Sequence, residues 1–266
     1  MLYRAILCYV AFTASAFIAF VAGNKSLEAV VGAASLLTTV PYTLIFKLYF
    51  FLLIIGVGIV AARVRHGMAS LLVPIGLIWL ADLLYINESG PWPQPFRHLG
   101  GMLFGLGGAF GPSVLHSITL VVFGMTLGSV AFTRRSSRSA KVQVALLLVA
   151  AAVAIGWEIR GNGLWQVLVS IATEEMSRNS NDVVYYAYGV WAASALMGLA
   201  YALHSASPAW LRRLGGALGS AAFAYFFIGN AILLAMPRFQ ADGALEVVAL
   251  ITSYVGSGEI MSHACW

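Results

Sequence analysis

The segment PWPQPFRHLGGMLFGLGGAFGPSVLHS, residues 91–117, interrupts a chain that otherwise consists mainly of continuous apolar stretches. It contains a proline-rich loop, a glycine-rich apolar piece and a break at Gly111-Pro112. Residues 99–132 are too many for one straight crossing of a bilayer, which takes about 20 residues, and residues 99–111 alone are too few. We therefore expect a broken or re-entrant segment near residues 99–117, because irregular backbone at membrane depth occurs only inside protein or beside a cavity.

The composition indicates that lipid is the solvent of the whole chain. Of the 266 residues, 61% are hydrophobic and 9% are charged, whereas soluble domains carry roughly 25% charged residues. The apolar stretches are continuous and do not alternate with a period of two, which favours helices over a β-barrel. The expected fold class is all-α: a polytopic membrane helix bundle of about eight spans, with seven possible. We expect it to form a single integral membrane domain over residues 1–266.

The apolar stretches give the predicted spans. They are residues 2–23, 41–62, 68–86, 112–132, 142–156, 183–204, 215–236 and 244–261. The first stretch has a long apolar core and a single preceding base, Arg4, which favour an uncleaved helix over a cleaved signal peptide. Pro74 and Gly76 predict a kink in the third span. Apolar residues at helical spacing predict short amphipathic outer helices within 24–39 and 161–182, with an ordered loop as the alternative for the first.

The charges predict how these spans are oriented. The segments assigned to the inner side carry nine bases and no acid: Arg4, Arg63, Arg65, Arg134, Arg135, Arg138, Lys141, Arg212 and Arg213. The outer segments carry five bases against seven acids. This asymmetry is the positive-inside pattern, and it predicts a protein of the bacterial inner membrane with both termini in the cytoplasm. Because the net charge of +5 is divided in this way, nucleic acid is not expected as a partner.

Ionisable side chains inside the apolar stretches are the candidate functional residues, because each costs about 3 kcal/mol at the centre of a bilayer. Four polar groups lie at similar predicted depth beneath the outer surface, and an amide in the seventh span is expected to join them: Lys47, Asp82, His116, Glu158 and Asn230. We expect them to line a polar cavity open to the outside, with Lys47 paired to Asp82 or Glu158. Arg97 and His98 are assigned to the outer loop above it.

Each of these residues also has a purely structural explanation. Lys47 could extend its amine to the outer headgroups, and Asp82 could be an interfacial residue. His116 could be a hydrogen-bonded core residue, and Glu158, between Trp157 and Arg160, could mark a hydrated helix end. Their common depth is what favours the shared cavity.

Three functions are compatible with these residues. The first is transport or permeation of a small solute or ion through the bundle. The second is a membrane-embedded enzyme acting on a lipid-linked or outer substrate, with His116 and an acid as its acid/base pair, so the existence of an enzymatic activity stays open. The third is a scaffold or assembly subunit, whose membrane-protein partners would pack on the glycine-rich helix faces. No metal site and no cofactor are predicted, and the lipid bilayer is the expected partner.

Overall fold

The regular structure is entirely helical in the residues that the computed structural model describes, which are 1–38, 43–67, 69–85, 96–105, 112–132, 138–172 and 181–235. The helices are α1 Leu2–Val21, α2 Leu27–Ala34, α3 Leu44–His66, α4 Leu72–Tyr85, α5 Phe96–Phe104, α6 Val114–Phe132, α7 Arg138–Asn162, α8 Leu164–Ala172, α9 Val183–Ala206 and α10 Ala209–Ala235. A 3-10 turn, Ala69–Leu71, precedes α4. The predicted all-α class is therefore confirmed.

Five of the described helices are long and apolar enough to cross a membrane: Leu2–Val21, Leu44–His66, Val114–Ala131, Arg138–Asn162 and Val183–Leu203. Shorter apolar stretches occupy Leu72–Ala81 in α4 and Ala221–Ala235 in α10. These helices suggest an integral membrane protein. The span predicted at residues 244–261 lies outside the described residues, so the count of about eight spans stays a prediction.

Several helices extend beyond the apolar stretches that predicted them. The stretch 142–156 lies inside α7, whose first turn begins at Arg138 and whose last turn contains Arg160. Charged side chains can continue a helix into the headgroup region, because their long stems reach water while the backbone keeps its hydrogen bonds. Hydrophobicity alone therefore marks the lipid-embedded part of a helix and underestimates its length.

The interrupted segment contains two separate helices. The α5 helix ends at Phe104 and is followed by Gly105 in the left-handed conformation, with φ +80°. The α6 helix begins at Val114. Residues 106–111 lie outside the described residues, so a re-entrant course for this segment stays a prediction.

By their contacts, the residues divide into two compact units. The first contains Met1–Leu7 and Lys47–Ala202, and the second contains Cys8–Phe46 and Leu203–Trp266. The α1, α3 and α9 helices each contribute residues to both units. The expectation of one integral membrane domain is not tested by this division.

In the first unit, α4 and α6 run antiparallel. Leu71, at the end of the 3-10 turn, and Ile75, in the first turn of α4, pack with Val122 in the middle of α6. Trp79, farther along α4, lies beside His116 in the first turn of α6. The predicted topology also requires these two helices to run in opposite directions.

The α9 helix runs parallel to α6 in the same unit. Tyr186, in the first turn of α9, lies beside His116, and Val190 packs in one cluster with Phe123, farther along α6. The first turns of α6 and α9 therefore lie together, which places the polar groups of both helix ends in one region.

The second unit packs around Phe46, which is 1% exposed. Its ring meets those of Phe223, Phe226 and Phe227 at centroid distances of 5.5, 5.2 and 6.1 Å. All three contacts have the edge-to-face geometry that aromatic quadrupoles favour. Phe46 therefore connects residues of α3 and α10 within this unit.

We expect Phe46→Ala to destabilise the protein, because the surrounding rings cannot refill the space. Removal of on the order of 100 Å³ of side chain, at about 24 cal/mol per Å³ of cavity, costs about 2 kcal/mol. Thermal unfolding in detergent would measure this loss. Phe17→Ala is the control, because Phe17 lies in the same unit and is 55% exposed; an equal loss in both variants would contradict the packing role of Phe46.

Candidate functional site

A group of buried polar and aromatic side chains lies where the first turns of α6 and α9 meet α4. We call it the polar cluster, and its members are Trp79, Ser113, His116, Ser117, Thr119, Asn181 and Tyr186, with Gly105 against it. All of these residues belong to the first unit. Ser113 is fully buried, and His116 and Asn181 are 3% and 1% exposed.

Ser113 holds the start of α6 together. Its hydroxyl accepts the backbone N–H of His116 at 3.2 Å, as expected for an N-cap serine bonded to the third residue of its helix. The same oxygen lies 2.6 Å from Nδ1 of the His116 ring. The Ser113 hydroxyl therefore bonds both the backbone and the ring of His116, and the imidazole is fixed against the helix end.

Asn181 connects the start of α9 to the start of α6. Its Oδ1 accepts the backbone N–H of Ser113 and, at 3.0 Å, the hydroxyl hydrogen of Tyr186. A backbone N–H can only donate, so the atom that faces Ser113 must be the amide oxygen. Asn181 itself is left-handed, with φ 58°, a conformation that asparagine tolerates better than most residues.

The other end of the Asn181 amide is a buried donor. Its Nδ2 has no hydrogen-bond partner among the residues that the structure describes. An unsatisfied buried polar group costs about 1–3 kcal/mol, so this amide is a costly feature of the fold. The two bonds to Oδ1 prevent the amide from turning over to relieve it.

Two aromatic rings, those of Trp79 and Tyr186, lie against the histidine. Trp79 packs edge-on against His116 at 5.0 Å and against Tyr186 at 5.4 Å, between ring centroids. The Trp79 indole N–H donates to the Thr119 hydroxyl at 3.1 Å. The aromatic surfaces therefore exclude water from the imidazole, while each aromatic polar group finds a partner inside the cluster.

Gly105 closes the cluster on the side of the free amide hydrogen atoms. A Cβ at this position would lie 2.9 Å from Nδ2 of Asn181 and 3.2 Å from Cε1 of His116. The residue is also left-handed, which glycine adopts without steric cost. Both the backbone conformation and the close approach of Asn181 require glycine here.

Among the predicted cavity residues, His116 lies in this cluster, and the others are placed as follows. Lys47 is fully buried in α3 of the same unit. Asp82 lies in α4, one turn beyond Trp79, and its side chain is outside the described part of the structure. Glu158 is half-buried in α7, where it accepts a hydrogen bond from the Asn162 amide. The pairing of Lys47 with Asp82 or Glu158 stays a prediction.

Asn230 belongs to the second unit. It is 5% exposed, and its Nδ2 has no hydrogen-bond partner within the described ranges. Its membership of a shared cavity stays a prediction. Arg97 and His98, which we assigned to an outer loop, lie in the first turn of α5, because that helix begins at Phe96.

Sequence reasoning did not identify Ser113, Asn181, Tyr186 and Trp79 as site residues. One signal was available: serine directly before an apolar helix is the preferred N-cap. Asn181 precedes α9 in the same way, but nothing in the sequence brings it to Ser113, 68 residues earlier. Across the described residues, no three His, Cys, Asp or Glu side chains come together as metal ligands would.

We expect Gly105→Ala to damage the site more than a matched glycine replacement. Any Cβ in a left-handed residue costs about 1 kcal/mol, and at Gly105 the Cβ must in addition displace Asn181. Gly163→Ala is the control, because Gly163 has φ +82° and nothing within 4 Å of its Cβ position. Thermal unfolding should show a clearly larger loss for Gly105→Ala. Equal losses would mean that the amide does not pack against Gly105.

The chain was compared with known protein families, curated proteins and solved structures, and it matches none of them. Its function is therefore inferred from its own residues.

Proposed function

We propose that the protein transports a small polar solute or ion through its helix bundle, and that the polar cluster is the binding site. The proposal rests on one observation above all: Asn181 is fully buried, left-handed, and carries an amide donor without a described partner. A group that served only to join helices would be expected to have all its hydrogen bonds made. Backbone strain and unsatisfied polar groups concentrate at sites that bind ligands.

The surroundings of Asn181 support the same function. Three helix ends meet at the cluster: the end of α5 at Gly105, the start of α6 at Ser113 and the approach to α9 at Asn181. In transporters, substrates bind where helices are discontinuous, because free backbone groups and helix dipoles are available there. The meeting of these three helix ends is thus a reason to expect a solute path next to them.

The charge pattern supports an outward-facing site. With both termini in the cytoplasm of a bacterial inner membrane, the first turns of α6 and α9 and the last turns of α4 lie toward the outer surface. In this arrangement Lys47 and Asp82 are expected at similar depth, as the sequence predicts, and their membership of a shared cavity stays a prediction.

Flux through reconstituted protein tests the proposal. We expect liposomes that contain the protein to swell faster than empty liposomes when small polar solutes are added outside, as measured by stopped-flow light scattering. Asn181→Ala should reduce this flux by about tenfold or more, since it removes the free donor and both bonds to the helix ends.

The control is Gln143→Ala, because Gln143 is also a buried amide of the first unit and its Oε1 also has no described partner. Its flux should stay near that of the original protein. If no solute or ion crosses faster than in empty liposomes, transport is excluded. The cluster is then a packing device that joins α4, α6 and α9, as a scaffold would need.

A membrane-embedded enzyme is the second candidate, and one distance favours it. The Ser113 hydroxyl lies 2.6 Å from Nδ1 of His116, which is the reach required between a nucleophile and its base. Both residues are buried at the start of a helix, where the backbone N–H groups and the dipole stabilise a developing oxyanion. In such a pair the Ser113 oxygen would bond to the carbonyl carbon of a lipid-linked ester, His116 would take the hydroxyl proton, and the alcohol would leave with that proton as the ester bond breaks.

A fluorophosphonate probe tests this second candidate, because it labels activated serines. An activated Ser113 would be labelled in the original protein and in Ser117→Ala, and labelling would be lost in Ser113→Ala. Loss of the helix cap costs about 1 kcal/mol, so the variant should still fold. Absence of labelling in the original protein would leave Ser113 as a capping residue and remove the case for serine-based catalysis.

A further inference from the structure

We infer that an anionic phospholipid binds in a groove between the start of α1 and the second half of α3, which we call the α1–α3 groove. Its acyl chain lies against the walls of the groove, and its phosphate lies beside Arg4 and Arg63. The residues that line the groove all belong to the first unit, and none of them belongs to the polar cluster. The inference therefore goes beyond the proposed transport function and does not depend on it.

The α1–α3 groove is lined by Met1, Leu2, Tyr3, Val57 and Val60. Its volume is about 450 Å³, and ligand sites in proteins usually have volumes of about 300–1,000 Å³. The lining side chains are apolar except for the Tyr3 hydroxyl. In a protein that spans a membrane, such walls meet acyl chains, because the bilayer core contains no water. An acyl chain is therefore the occupant whose chemistry matches the walls.

The position of Gly56 shows which face of α3 is turned toward the start of α1. A Cβ on Gly56 would lie 3.4 Å from Cε of Met1. Residues four and seven positions later in a helix lie on nearly the same face, so Val60 and Arg63 follow Gly56 along that face. Arg63 is half-buried in the last turn of α3. Its positive charge is therefore placed about one turn beyond the apolar wall.

Arg4 supplies a second positive charge from the other helix. It follows directly after the groove residues of α1 and is exposed in the first turn of that helix. Helix side chains point back toward the N-terminus, so the Arg4 side chain extends toward Met1 and the groove. Arginine presents a planar fork of donors that matches the oxygens of a phosphate. A phosphate at the end of the groove can thus be reached from both helices.

The arginines provide the selection that the apolar walls cannot, because the chains of all lipids are alike in polarity. Residues 1–23 and 44–67 contain no Asp or Glu. In the described part of the chain, Arg4, Arg63 and Arg65 form no ion pair. Each arginine near a membrane surface strengthens the attraction of anionic lipid about fivefold. A zwitterionic lipid gains less, since its own cationic group offsets its phosphate.

Photocrosslinking with two lipids tests the inference. Phosphatidylglycerol and phosphatidylcholine with the same acyl chains, each with a diazirine in one chain, would be added to the protein in detergent micelles at neutral pH. Mass spectrometry would locate the labelled residues. We expect phosphatidylglycerol to label residues 1–3 or 57–60 in a saturable way, and phosphatidylcholine to label them about tenfold less. Equal labelling by the two lipids, or no labelling of these residues, would overturn the inference.

Removal of the two arginines tests their part in the site. In the double variant Arg4→Gln and Arg63→Gln, labelling by phosphatidylglycerol should fall about tenfold or more. The control is Arg212→Gln with Arg213→Gln, which removes the same number of charges from exposed positions near the start of α10 and should leave labelling near its original level. Equal falls in both double variants would mean that only the total charge matters, and the site would be refuted.

Val60→Trp tests the groove while it keeps every arginine. The larger side chain should fill the groove and remove the labelling of residues 1–3 by phosphatidylglycerol. Ile55→Trp is the control, because Ile55 is five residues earlier, on the opposite side of α3, and does not line the groove. If Val60→Trp is labelled as strongly as the original protein, the arginines attract lipid without the groove and the inference is wrong.

Discussion

The hydrogen bonds from Ser113 and Tyr186 to the Asn181 oxygen are the interactions on which the first unit depends. The bilayer core offers no water, so polar groups there must be satisfied by the protein itself. Among the described residues that requirement falls on the start of α6, where Ser113 is fully buried. The Asn181 side chain, just before α9, supplies the acceptor that the Ser113 backbone N–H needs. This hydrogen bond fixes the first turns of α6 and α9 together.

This constraint also explains why aromatic residues surround the site. Trp79 and Tyr186 each combine a large apolar surface with one donor, so they fill the space around His116 and still satisfy their own polar atoms. Gly105 completes the arrangement, because a side chain there would meet the Asn181 amide. The glycine-rich composition of residues 99–111, which we took as a general packing signal, therefore has a specific consequence at one position.

The sequence predicts the positions of the helices better than it predicts the residues of the polar cluster. Continuous apolar stretches predict the positions of the helices well, because lipid imposes hydrophobicity on each span separately. His116 was also predicted as a candidate, since an ionisable residue in a span is rare for energetic reasons, and it lies in the polar cluster. Asn181 and Tyr186 were not, because their importance arises from contact with a helix end 68 residues away. A neutral amide in a polar stretch has no signature of its own, and helical periodicity contains no information on which helix ends meet.

Three buried amides in the described residues have an unpartnered atom, Gln143, Asn181 and Asn230, so burial alone does not distinguish a binding site from imperfect packing. Orientation does. Gln143 has one described bond, a 3.3 Å contact from its Nε2 to Ser139, and its amide can turn to find another partner. Asn181 is held by two donors and by a left-handed backbone, so its free donor keeps one direction whether or not anything is bound. A donor that cannot relax is preorganised, and preorganisation reduces the cost of binding a ligand there.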